Sequence, residues 1–453
     1  MDGLWTLLGP ILTITIAIVS KNAILALFLG LCYFCIGIHG ANFLNYLSTY
    51  FVAGFSGNGF ILVMCGTLGV LLVIMRRGGG FSAFSSWADK AVKSRKQAGV
   101  LVAGLSFLLT LASDLVSNLA TGRILRPVVS QQKLAPQKSA YISESIGPNV
   151  GTVIPYGTYF LFCVGMIGML LPDVNPVSFF YQGVMLSFHT WLAILIALLA
   201  ALEIIPDLGA MKKYQQRAQE GSAALPEEDG PVMDVIGDGV KPDFGAFFVP
   251  LAGLLLGMLI TSLISGEVVM IPGAVLGCVV GIIYTLAHGS IKIREVGGLL
   301  IDGIMEQTPI ILLLMFAFAY GAALSASGLN DFVVSALGGS VPPSLLPVII
   351  FIIGAFISYT TGSLGSALVM LIPLSLPLGT AVGANMLLTF AATYSGAQWG
   401  DQLSPLSDVT LENAGANGVS PVEVSQGILP YRLLDGILCV ILFTVCGFIP
   451  SIL

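Results

Sequence analysis

The sequence predicts an all-α polytopic membrane protein made of two inverted repeats, each with about five transmembrane helices, a re-entrant hairpin and a broken helix. Three observations predict it. Of the 453 residues, 56% are hydrophobic and only 9% charged, against about 25% charged in a soluble domain. The basic residues fall on one side of a membrane only if one apolar segment enters and leaves on the same face. The two halves also resemble each other weakly, in the same order.

Apolar runs such as 4–20, 23–38, 59–74 and 245–264 recur along the chain, and each approaches or reaches the roughly 17–25 residues that cross a bilayer. The first run has no basic start and no small-residue cleavage site, so it does not read as a removed signal. Spans are expected near 4–20, 22–45, 53–75, 139–172 and 178–205 in the first half. In the second half they are expected near 245–265, 268–287, 297–325, 386–410 and 426–449. All seven cysteines lie in apolar runs, and the Cys32/Cys35 pair reads as packing. His39, His189 and His288 are scattered, so no metal cluster is expected. The chain has no basic stripe to suggest a nucleic-acid partner. Its expected surroundings are the lipid bilayer of a bacterial inner membrane.

Basic residues gather in cytoplasmic loops. Arg76, Arg77, Lys90, Lys93, Arg95 and Lys96 mark one loop; Arg126, Lys133 and Lys138 mark another. Both are cytoplasmic only if 98–127 is a re-entrant hairpin, for which 14 residues per arm rise ~21 Å. All 18 Lys and Arg residues, Arg432 included, then lie on one side, and both termini lie outside. Residues 206–243 form a polar cytoplasmic linker around Pro226, without periodicity, between a first repeat at 1–205 and a second at 244–453.

The repeat is carried by three paired stretches. Residues 78–88 correspond to 327–337, the hairpin at 107–127 to 351–373, and 143–155 to 395–405. The last pair keeps a constant offset of 250, with Ser145 opposite Ser395 and Pro155 opposite Pro405. The second unit thus carries a hairpin at 343–373 and a broken helix at 386–410, matching 98–127 and 139–172. Five crossings per half turn the second copy upside down, and the charges agree: loop 76–97 holds six cations while 326–342 holds none. Repeats of this kind hold substrate at interrupted helices near mid-membrane.

Four polar, helix-breaking stretches supply the candidate site: SDLVSN (113–118), SESIGPN (143–149), SYTTGSLGS (358–366) and SGAQWGDQLSPLSD (395–408). Irregular backbone at that depth is tolerated only where protein buries it or water reaches it. The candidate ion or substrate ligands are Asp114, Asn118, Glu144, Asn149, Ser358, Thr361, Ser363, Ser395, Asp401, Ser404, Ser407 and Asp408. Carboxylates, hydroxyls and freed carbonyls are hard oxygen donors suited to alkali cations, with Asp401, Asp408 and Asp114 as the acidic Na⁺ ligands. Ion and proton would compete for the same carboxyl groups. Asp302 and Glu306 read as interfacial. Glu412, Arg432 and Asp435 read as boundary residues, and Trp399 as packing against the opposing break.

GDQLSPLSDVT (400–410), followed by Leu429-Pro430-Tyr431, resembles the NhaC-type sodium/proton antiporters. So do 359–379, 113–127 and 9–30. The resemblance implies inverted repeats with re-entrant hairpins and Na⁺/H⁺ exchange, with some relatives moving small organic acids or amino acids. The positions matching the motif are Asp114, Asn118, Asp401, Ser404, Ser407 and Asp408. Three departures stand out: Ser113-Asp114 replaces a common acidic pair, Gln402 stands where relatives often have His, and Asn22 replaces an acid. The expected protein is therefore a secondary transporter and not an enzyme. It needs no cofactor; its cargo is Na⁺ and H⁺, with a coupled carrier of a small carboxylate or amino acid as the alternative. A homodimer is compatible with this plan.

Overall fold

The computed structural model describes residues 4–20, 22–83, 87, 92–111, 114–154, 157–221, 240–265, 271–328 and 341–449. Ser113, Pro155, Pro226 and parts of the paired stretches 78–88 and 327–337 lie outside these residues, as does the side chain of Asp114. Every regular element among the described residues is helical. In chain order come α1 (Leu4–Ser20), α2 (Ala23–His39) and α3 (Phe43–Arg77), then α4 (Arg95–Thr110) and α5 (Asp114–Gln131). Next are α6 (Pro136–Val153), α7 (Thr158–Leu170), α8 (Pro176–Met185), α9 (Phe188–Ala201) and α10 (Gly209–Gln219). The rest are α11 (Gly245–Ser265), α12 (Ile271–Ala287), α13 (Val296–Ala326), α14 (Leu346–Thr361), α15 (Leu364–Val382), α16 (Met386–Asp401), α17 (Asp408–Asn417) and α18 (Pro421–Phe448).

Large apolar side chains cover the outside: Val19, Leu263 and Ile264 are exposed, as a lipid-facing surface requires. Segments Ile24–Ala53, Gly245–Ser265, Leu364–Val382 and Pro421–Phe448 are long and apolar enough to cross a membrane, and α8 with α9, bent by 48°, forms one further candidate span. The most apolar window of α15 is nonetheless 67% buried inside protein, so that helix is enclosed rather than lipid-facing.

Two helix–turn–helix units dip into the structure. In the first, α4 is capped by Ser94, whose side chain accepts from the Gln97 amide, and α5 follows after a short turn. In the second, α14 ends at Gly362 with φ +65°, a left-handed conformation that glycine adopts without the Cβ penalty. Ser363 then caps α15 by accepting from the Ser366 amide. Helices α6 and α16 begin at 136 and 386, and α7 and α17 at 158 and 408, both pairs 250 residues apart.

Glycines set the closest approaches. A Cβ on Gly400 would lie 2.1 Å from the Ala355 carbonyl oxygen, and one on Gly396 2.2 Å from that of Phe351, so α16 packs on α14 backbone to backbone. Gly69 of α3 and Gly303 of α13 touch in the same way, a Cβ on Gly69 falling 2.0 Å from the Gly303 oxygen. At one end of that helix pair Arg76 binds Glu306 and Arg77 binds Asp302.

One expectation fails here. The stretch after residue 206 is not an aperiodic connector throughout, because α10 forms within it. Met211, Tyr214, Gln215 and Ala218 are buried at i, i+3, i+4 and i+7, the spacing of one helix face. Gln215 accepts from the Ala135 amide (3.1 Å) and donates to the Lys133 carbonyl (2.8 Å), which pins α10 to the α5–α6 turn.

Gly400→Val is expected to lower stability by about 1–3 kcal/mol through overpacking. Gly104→Ala, where a Cβ meets nothing within 4 Å, should be neutral or slightly stabilising; thermal melting in detergent checks both. Beyond the end of α9, the Arg95 guanidinium hydrogen-bonds Glu203 and holds its carboxyl below the usual range. That contribution to stability is present above the unfolded carboxyl value of about 4.3 and is lost as pH falls through the lower folded value. Glu203→Gln should flatten the acid limb of the melting curve.

Candidate functional site

The site assembles where α16 breaks. Asp401 is the last residue of α16, 402–407 form a turn, and Ser407 caps α17 by accepting from the Val409 amide (3.2 Å). The Ser407 hydroxyl donates to Asp401 Oδ1 at 2.8 Å, and the Leu364 amide at the start of α15 faces the same carboxylate. Ser404 donates to the Tyr359 carbonyl at 2.7 Å. A Cβ on Gly362 would sit 2.5 Å from the Leu406 oxygen. The tip of the second hairpin and the α16–α17 break therefore close on each other. Asp401 is placed at the amino end of α15, where free amides favour negative charge.

Across from it, α6 presents Glu144, fully buried. Thr410 of α17 donates to its Oε1 at 2.8 Å, while Oε2 has no partner. Pro148 lies inside α6, and its missing N–H leaves the Glu144 carbonyl without its helical donor. Gly147 lets the first hairpin approach, since a Cβ there would stand 2.9 Å from Ser117 Oγ and 3.3 Å from Asn118 Oδ1. Asn118 donates to Glu412 Oε2 at 3.1 Å. The buried oxygens Asn118 Oδ1, Asn149 Oδ1, Asn413 Oδ1, Thr121 Oγ1 and Ser143 Oγ accept or donate to nothing. Glu144 and Asp401 lie within range of each other's charge and of Arg432. Among the described residues no three His, Cys, Asp or Glu side chains cluster as metal ligands, so the donor set is two carboxylates among neutral oxygens. That set suits an alkali cation better than a transition metal.

Behind this lies a polar network that sequence reasoning missed. His189 of α9 pairs Nδ1 with Asp435 Oδ2 at 2.6 Å, and its Nε2 meets Gln402 Oε1 at 3.3 Å. Gln402 Oε1 also accepts from Asn149 at 3.2 Å. Arg432 reaches Asp435 at 3.5 Å and donates to Ser145 Oγ at 3.0 Å. Arg432 and Asp435, expected at the boundary, are instead buried in the core. Glu412, also read as boundary, is half-buried against Asn118. Trp399 packs on α18 rather than on the opposing break: its indole donates to the Arg432 carbonyl at 2.8 Å and covers Gly436. The available signal was charge spacing, for Arg432 and Asp435 stand three apart in an apolar helix, where ionisable residues normally face a pathway or partner.

The remaining candidates divide. Ser358 is buried with its hydroxyl unpartnered, and Ser363 caps α15 at the hairpin tip. Ser395 instead pairs with Ser187 of α9 at 2.9 Å, and Thr361 bonds back to the Ile357 carbonyl at 2.8 Å. Asp408 is exposed at the start of α17, within range of the Asp401 charge. Gln398 joins α16 to α6 and α9: it donates to the Pro148 carbonyl (3.3 Å) and Thr152 (2.9 Å) and accepts from Thr190 (3.1 Å).

Buried carboxylates at breaks in a lipid-coated helical protein define an integral membrane secondary transporter. The chain belongs to the Na⁺/H⁺ antiporter family, whose profile matches residues 150–448. An uncharacterized protein of Haemophilus influenzae is 23% identical over 479 residues, covering 99% of this chain and 92% of that protein. The arginine/ornithine antiporter ArcD of Halobacterium salinarum is 29% identical over 218 residues, 46% of this chain and 42% of that protein. Two solved structures share the fold. The YdaH transporter of Alcanivorax borkumensis has a TM-score of 0.53 at 18% identity, over 90% of this chain and 89% of that one. MtrF of Neisseria gonorrhoeae, described as representing a class of antimetabolite efflux pumps, has a TM-score of 0.58 at 16% identity over 91% and 86%.

Asp435→Leu leaves the Arg432 charge buried without its carboxylate and is expected to cost about 3–5 kcal/mol. Arg432→Met combined with Asp435→Leu should recover most of the loss. A double mutant melting no higher than the single would show that the two charges are not coupled.

Proposed function

We propose that this chain is a Na⁺/H⁺ antiporter of a bacterial inner membrane in which Glu144 and Asp401 bind Na⁺ or protons in competition. The observation that carries this reading is Glu144, fully buried, with one carboxylate oxygen bound by Thr410 and the other without a partner among the described residues. An unpaired acceptor in a low-dielectric interior is costly. Either a proton on the carboxyl or a cation among the oxygens removes that cost, and the two exclude each other. No cofactor is required; the ions are cargo.

On this reading α4–α5 and α14–α15 are paired re-entrant hairpins, and the chain is an inverted repeat of 1–205 and 244–453 joined by a cytoplasmic linker, with both termini outside. The common 250-residue step of α6/α16 and α7/α17 supports the repeat. So does Gln398 touching Pro148, its own counterpart at that step. His189 places an imidazole beside Gln402, the position where relatives often carry His. The exposed Asp408 marks the route to the buried pair. A second reading is exchange of an amino acid or small carboxylate; the ArcD similarity and the buried Arg432 guanidinium, a natural carboxylate partner, favour it.

Asp401→Asn and Glu144→Gln are each expected to reduce Na⁺-dependent proton flux in proteoliposomes to the empty-vesicle baseline. Thr410→Val, which removes one hydrogen bond to a charged group worth ~1.5 kcal/mol, should weaken apparent Na⁺ affinity about tenfold. Wild-type exchange in Asp401→Asn would sink the proposed role. Counterflow of labelled arginine and organic acids, with and without a Na⁺ gradient, decides between the two cargoes.

A further inference from the structure

A cavity of about 140 Å³ lies away from the transport site, between the end of α5, the start of α6, the linker helix α10 and the end of α17. Arg126, Ser130, Gln131, Lys133, Ala218 and Asn417 contribute to its wall, and no carboxylate among the described residues does. We infer that this cavity is a binding site for a small oxyanion, a phosphate group held by Arg126 and Lys133.

Three observations carry it. Arg126 makes no hydrogen bond or ion pair to any described residue, and its Nε is buried without a partner. A charged donor left unsatisfied in a protein costs more than a neutral one, and a planar guanidinium matches the oxygens of phosphate. Lys133 spends one of its three ammonium donors on the Gln219 carbonyl (3.2 Å), which leaves two facing other groups. Its backbone is held at φ +53°, a conformation uncommon for a side chain of this size. The surroundings over-determine that placement, since its carbonyl is bound by Gln215 of α10.

The geometry also limits the ligand. With water occupying about 30 Å³, the cavity has room for a few waters or one phosphate-sized group, not for a nucleotide. The Arg126 guanidinium crosses the end of α17, where Gly418 has φ +67° and a Cβ would fall 1.7 Å from Nη2. An anion on Arg126 therefore joins the first hairpin and α17, which carries Thr410, to the linker helix. Free phosphate and the headgroup of an anionic lipid share this chemistry.

The test uses the full chain and reads binding, so it stands or falls independently of the transported ion. Inorganic phosphate is titrated into detergent-purified protein by calorimetry, with chloride at equal ionic strength as control. In parallel, melting is followed in phosphatidylcholine vesicles with and without phosphatidic acid. Saturable phosphate binding, or a melting shift specific to phosphatidic acid, is expected and names the source. Arg126→Gln should weaken it at least tenfold and Lys133→Gln severalfold, while Arg126→Lys keeps part of it should the Gln variant fold poorly. No effect in either arm, or one unchanged in both Gln variants, overturns the site.

Discussion

The Ser404 hydroxyl on the Tyr359 carbonyl and the Leu364 amide facing Asp401 hold the second hairpin against the α16–α17 break, and the Ser407 hydroxyl on Asp401 closes the break on itself. Everything at the site depends on that closure. Inside a bilayer a broken helix exposes backbone amides and carbonyls that water cannot satisfy. Here the α14–α15 turn and the α16–α17 break answer each other's exposed backbone. The carboxylate of Asp401 is part of the closure as well as part of the site, so its charge state and the seating of the hairpin are physically linked.

The second constraint is charge. One buried guanidinium, Arg432, sits among Asp435, Glu144 and Asp401, with His189 on the far side of Asp435. A single fixed cation cannot neutralise three carboxylates in low dielectric. Protons or a bound cation must supply the balance. On the proposed function, the unpartnered Glu144 oxygen is where that balancing charge enters. The Arg432–Asp435–His189 chain anchors α18 and α9 to α6, which keeps Glu144 in place as the other groups load and unload.

The glycines of α16 explain why this construction fits in so small a space. Gly396 and Gly400 bring the α14 backbone against α16, an arrangement common where helices associate without a hydrophobic driving force. The hairpin tip then reaches Leu406, and the break closes. A bulkier α16 would hold the tip away and leave Asp401 facing an open cleft.

By itself the sequence determined the helical membrane class, the two hairpins, the breaks near 154 and 402, and the oxygen-rich character of the site. These are local or periodic properties: apolar run length, Gly and Pro at breaks, and most cations gathered in a few stretches between apolar runs. It also marked Glu144, Asn118, Asp401, Ser404 and Ser407, because polar residues at membrane depth are conspicuous. Tertiary structure alone decided which of them meet. It brought His189 to Asp435 and Gln402, took Arg432 from the expected boundary into the core, turned Ser395 toward Ser187, and left Asp408 exposed. Such pairings join residues up to 294 positions apart, as with Asn118 and Glu412. No local pattern encodes them; they follow from how close the glycine-lined backbones can pack.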